Sequence, residues 1–86
     1  MREGPDIASL AALIGDPVRA NIMLALLRSP TLTAGELAQD AGVTAQTASG
    51  HLRRLQEGGL LKVDAQGRHR YYSLANTSVG ELLEQL

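Results

Sequence analysis

Residues 33–61 read TAGELAQDAGVTAQTASGHLRRLQEGGLL. Thr33 and Glu36 have the spacing of a capping box, in which a hydroxyl and a carboxylate each satisfy a free backbone N–H at a helix start. A short helix is predicted from there to about Ala41. Gly42 can take the left-handed conformation that ends helices. Thr44 then caps a second helix, and Gly58-Gly59 stops it. Helix, glycine turn, helix is the order of a helix-turn-helix unit, whose second helix is shaped to lie in the major groove of DNA. Ala48, Leu52 and Leu55, with Val43 and Ala45 near the start, form the inward face of that second helix. Gln46, Thr47, Ser49, Gly50, Arg53 and Arg54 form the outward one.

The next stretch, LLKVDAQGRHRYYSL at residues 60–74, predicts strands over 60–64 and 68–74, with Gly67 in the hairpin loop. A basic hairpin directly after such a helix is a wing. Tyr71 and Tyr72 then point to opposite faces of the second strand, one toward the core and one toward the edge. On the N-terminal side, residues 6–14 predict a helix ended by Gly15. Asp16-Pro17 starts another through Arg28, since Asp is a good N-cap and Pro suits the first helical position. Ile22, Met23, Leu24, Ala25, Leu26 and Leu27 make that helix apolar nearly all round, which predicts a buried centre. Asn76 or Thr77 caps a last helix, with Val79, Leu82, Leu83 and Leu86 recurring at helical spacing. The fold class is mainly α with a small β-hairpin: a three-helix core, a two-stranded wing and flanking terminal helices.

The 86 residues suit one small domain, taken as residues 1–86, whose core a partner subunit often completes. The absence of cysteine removes disulfides, thiolate metal sites and thiol catalysis. With Tyr71 and Tyr72 the only aromatic residues, the core must be aliphatic. No apolar run approaches the roughly 20 residues that span a bilayer, and the N-terminus lacks the pattern of a signal peptide; a cytoplasmic, nucleoid-associated protein is expected. The net charge of −1 hides a segregation. Residues 43–74 carry +3, from Arg53, Arg54, Lys62, Arg68 and Arg70 against Glu57 and Asp64, while the segments on either side carry −2 each. Positive charge thus gathers on the second helix of the unit and on the wing, where a nucleic-acid face would need it.

Gln46, Thr47 and Ser49 can hydrogen-bond base edges or phosphates, against the plainer reading of a solvated helix face. Arg53 and Arg54 can hold phosphate, or one can pair with Glu57. Arg68 and Arg70 can follow the minor groove, or simply keep the hairpin tip soluble. His51 reads as a packing or hydrogen-bonding residue, and His69 as exposed. Neither histidine has partners at metal-ligand spacing, so neither metal nor other cofactor is expected. No constellation of catalytic residues is present, and no enzyme is expected. A winged helix that docks partner proteins, without DNA specificity of its own, is the competing expectation.

DPVRANIMLALL, ELAQDAGVTAQTASGHLRRLQEGGLL and GRHRYYSL, in this order, resemble the ArsR-type winged-helix repressors of bacteria. The likeness covers nearly the whole chain. It implies a homodimer that binds a pseudo-palindromic operator, usually represses transcription and releases DNA when an effector binds. It places the dimer interface on the first and last helices, here Ile7, Leu10, Leu13 and Ile14 with Val79, Leu82, Leu83 and Leu86. By the same likeness, Thr44, Gln46, Thr47, Ser49, Gly50, Arg53, Arg54, Arg68 and Arg70 fall at DNA-binding positions. Two departures stand out. Gly50 occupies a position that often carries a larger polar or basic side chain, and the family's cysteine metal sites are absent. The chain also stops as its last helix becomes established, which suits the DNA-binding part of a longer regulator.

Overall fold

The computed structural model describes residues 7–85. Its elements follow in the order α1 (Ile7–Leu13), α2 (Pro17–Arg28), β1 (Leu32–Thr33), α3 (Ala34–Ala41), α4 (Ala45–Glu57), β2 (Leu61–Gln66), β3 (His69–Leu74) and α5 (Thr77–Glu84). The expected start at Asp6 and the interface residue Leu86 lie outside the described residues.

The capping chemistry expected from the sequence is in place. Asp16 Oδ1 accepts the N–H groups of Val18 at 2.8 Å and Arg19 at 3.3 Å. The Thr33–Glu36 capping box is complete, with reciprocal bonds of 2.8 and 3.1 Å. Gly42 takes φ +71°, and the Gly42 and Val43 N–H groups close back on the carbonyls of Gln39 and Ala38. An L-residue is rarely held there, so glycine is what lets α3 turn sharply into α4. Asn76, of the two candidates, caps α5 by accepting the Val79 N–H at 3.1 Å.

One aliphatic core joins all layers. Leu10 of α1, Ile22, Met23 and Leu26 of α2, Leu37 of α3, Leu52 and Leu55 of α4, Leu60, Leu61, Tyr72, and Val79 and Leu83 of α5 are all buried in it. Tyr72 takes the core side of β3 and Tyr71 stays half-exposed, so the two faces divide as expected.

The structure corrects three expectations. The sheet has three strands, in the order β1-β3-β2. The two-residue β1 pairs Leu32 with Tyr72 and Thr33 with Tyr71, and tethers the wing to the start of α3. Two residues carry no alternation, so β1 left no periodic trace in the sequence. The hairpin also runs longer than expected, to Gln66↔His69, around a two-residue loop with Gly67 at φ +59°. Leu60 falls before the strand, where its N–H bonds Leu55 and its carbonyl accepts Ala75. Helix α2, finally, is not buried all round. Ile22, Met23, Ala25 and Leu26 face the core, whereas Leu24 is 46% exposed and Leu27 36%. The helix packs inward with one stripe, and Leu24 on the other side stays exposed among the described residues.

Candidate nucleic-acid interface

Helix α4 is divided lengthwise. Ala48, Leu52 and Leu55 are fully buried, and every one of Gln46, Thr47, Ser49, Gly50, Arg53 and Arg54 is exposed. Thr44 is committed to the cap. Its Oγ1 accepts the Thr47 N–H at 3.1 Å and donates to the Thr47 hydroxyl, also at 3.1 Å. The Thr47 hydroxyl is thereby held as an acceptor for Thr44, with its own proton free to point outward. Gly50 opens a gap in this row. A Cβ built on it would meet nothing within 4 Å, so the fold itself gives no reason for a glycine there.

The cations of this region have no ion-pair partners among the described residues. Arg53, Arg54, Arg68 and Arg70 make no ion pair among the described residues, and the alternative pairing with Glu57 does not form. Arg68 sits at the hairpin tip and Arg70 pairs across the wing with Ala65. His69 is exposed, its ring 6.1 Å from that of Tyr71. The acidic side chains gather elsewhere. An open groove of about 1240 Å³ between the wing sheet and α5 is lined by Asp64, Glu81 and Glu84 against a single cation, Lys62. Its charge disfavours phosphate, whereas the outward face of α4 and the wing tip favour it.

A cluster behind α4 was not legible in the sequence. His51, half-buried, places Nδ1 3.3 Å from Arg19 Nη1 and Nε2 3.9 Å from Asp16 Oδ1. Arg19 Nε–H donates to the carbonyl of Leu13, at the end of α1. The D-P-x-R segment thus does more than start a helix: its Arg reaches a residue 32 positions away. Partial desolvation pushes the Asp16 carboxyl up. The Val18 and Arg19 N–H bonds, with the nearby His51 ring and Arg19 guanidinium, outweigh it and hold the carboxyl below the usual carboxylate value.

The expected interface residues divide. Leu10, Val79 and Leu83 are consumed by the protomer's own core. Leu13, Ile14 and Leu82 are only partly covered. The side chain of Ile7 and all of Leu86 lie outside the described residues. Of the six expected interface side chains among the described residues, three thus help close the protomer's core and three stay partly exposed. Among the described residues, no group of three or more His, Asp or Glu side chains could hold a metal ion, and no helix is long and apolar enough to cross a membrane.

Comparison with known proteins agrees with this geometry. Residues 14–64 match the model of a helix-turn-helix domain. The chain is 45% identical over 82 residues to the uncharacterized HTH-type transcriptional regulator YdfF of Bacillus subtilis; the match takes in 95% of the chain but only 36% of that relative's length. It is 35% identical over 86 residues to the HTH-type transcriptional regulator CmtR of Mycobacterium bovis, spanning all of this chain and 71% of CmtR. Among solved structures, it superposes with a TM-score of 0.82 on the homodimeric winged helix-turn-helix DNA-binding domain Mb0332 of Mycobacterium bovis, a possible ArsR-family regulator. That match has 24% identity and covers 99% of this chain and 85% of that one. With the helix-turn-helix, the wing and the capped second helix all in place, the chain belongs to the helix-turn-helix transcriptional regulators and has the winged fold.

Proposed function

We propose that the protein binds a pseudo-palindromic duplex operator as a homodimer and represses transcription from it, acting at the nucleoid in the cytoplasm. The observation that carries this reading is the outward face of α4, where polar side chains stand exposed beside two arginines that make no ion pair among the described residues. Gln46, Thr47 and Ser49 read base edges in the major groove. Arg53 and Arg54 hold the flanking phosphates, and Arg68 and Arg70 follow the adjacent minor groove. The backbone contacts set register and the base contacts set sequence. A bound dimer would exclude other proteins from the same DNA, and an effector that disfavours the bound pose would lift repression; the family likeness supports both steps.

Dimerisation would use the partly exposed Leu13, Ile14 and Leu82 rather than the buried leucines, and would set the two α4 helices about one DNA turn, roughly 34–36 Å, apart. Selection from a random pool of duplexes tests the whole reading. Paired half-sites with a fixed spacing support it. Recovery of no duplex contradicts it and favours a protein-docking winged helix. Sedimentation of Leu82→Glu tests the dimer, since that residue lies half-exposed on α5. A dimer unchanged by this substitution would move the interface elsewhere.

A further inference from the structure

The end of α1 is fastened to α4 at two points. The Leu13 carbonyl takes the Nε–H of Arg19, whose Nη1 lies 3.3 Å from His51 in the middle of α4. The Leu13 side chain packs on Gly58 at the other end of α4, where an added Cβ would come within 2.4 Å of Leu13 Cδ1. A guanidinium is planar and rigid, so two bonds from one Arg fix both distance and direction. Because Arg19 has only donors, His51 Nδ1 must be the acceptor, and its Nε2–H is left facing Asp16.

We infer that Arg19 is a positioning residue that sets the angle of the recognition helix against α1, and through it the half-site spacing the dimer accepts. The inference rests on the dimeric DNA-binding reading above, in which α1 belongs to the interface and α4 to the groove. Leverage makes the angle matter. Helix α4 has 13 residues and is therefore about 20 Å long. A tilt of about 10° displaces its far end by about 3 Å, close to the roughly 3.4 Å rise of one base pair. A strut that holds α4 to within a few degrees is thus what separates one spacing from the next. Arg19 lies behind the helix, half-buried, so it acts through His51 and touches no DNA.

The test uses the duplex selected by the wild-type protein and two derivatives, with one base pair inserted or deleted between the half-sites. The wild type should prefer its own spacing by about tenfold or more, within the usual cost of a defective site. Arg19→Ala should bind the selected duplex more weakly and narrow that preference to about threefold or less, with its salt slope unchanged. Arg19→Lys keeps the charge, but its single nitrogen cannot span both acceptors, and it should behave like Arg19→Ala. His51→Asn retains an acceptor near the Nδ1 position and should keep the preference; His51→Leu should lose it. If Arg19→Ala fails to fold, as seen by circular dichroism, the lysine variant and the two His51 variants decide. A spacing preference retained in Arg19→Lys and His51→Leu overturns the inference. So does a salt slope flattened by about one unit in Arg19→Ala, which would make Arg19 a phosphate ligand. Failure of the wild type to select paired half-sites overturns the reading beneath it, and is seen before any variant is made.

Discussion

The flanking helices and the recognition helix use their side chains in opposite ways. Helices α1 and α5 spend part of their large apolar residues inside the protomer: Leu10, Val79 and Leu83 are buried, while Leu13 and Leu82, with Ile14 just after α1, stay partly open. Helix α4 spends three residues on the core and leaves polar and cationic side chains outside, interrupted at Gly50, with its arginines in no ion pair among the described residues. Apolarity in a small domain is thus a poor guide to an interface, because the core claims it first. Unpaired charge on a rigid, capped helix is a better guide, because the fold has no use for it.

The largest effects expected come from the side of the comparison that is buried. Leu10→Ala should cost about 2–5 kcal/mol of stability, much of the margin of a domain this small. Leu83→Glu, which places an unpaired charge in the same core, should be at least as damaging and should unfold the protein rather than merely separate subunits. Leu24→Ala, on the open side of α2, should cost well under about 1 kcal/mol. Denaturant midpoints of the three variants check this ordering, and a mild Leu83→Glu would mean that α5 does not close the core.

On the exposed side the effects move from stability to recognition. Gln46→Ala should leave folding unchanged and blur preference at one or two base pairs per half-site, by about 1–3 kcal/mol. Repeat selection from random duplexes reads this directly; an unaltered base preference would put Gln46 outside the groove. Gly50 sharpens the contrast, since space around it is open while a helix-interior glycine costs roughly 1 kcal/mol relative to alanine. Gly50→Ala should therefore raise the thermal midpoint while weakening operator affinity. A variant both more stable and equally tight would show that the gap plays no part in DNA approach.

The smallest effect concerns Asp16, whose carboxyl is held below its ordinary value chiefly by backbone N–H bonds working against desolvation. A group with a depressed folded value adds stability above its unfolded value and loses it as pH falls through the folded one. Asp16→Asn keeps a capping side chain but no charge, so its melting deficit at neutral pH should shrink on acidification. A deficit that persists unchanged at low pH would assign it to capping geometry alone.

Much of this was legible in the sequence because it is local. Capping boxes, glycine stops and the 3.6-residue spacing of Ala48, Leu52 and Leu55 act within a turn or two, and the helices α2, α3 and α4 follow them closely. What escaped is what depends on distant partners. Strand β1 exists because β3 passes beside Leu32. The exposure of Leu24 depends on where the other helices stop. The bond from Arg19 to His51 crosses 32 residues, and no periodicity signals it. The exposed outward positions of α4 were legible by a different route, since they are the polar positions left over once the inward face of α4 is assigned.

On the proposed reading, the cations beside α4 and at the wing tip, which make no ion pair among the described residues, meet DNA phosphate. The most direct test is the salt dependence of duplex affinity for the wild type, Arg54→Ala, Arg68→Ala and the double variant. Each single substitution should weaken selected and unrelated duplexes alike and lower the log–log slope by about one, and the double variant by about two. Unchanged affinity and an unchanged slope in the double variant would contradict the account and leave the face of α4 as a surface for another protein.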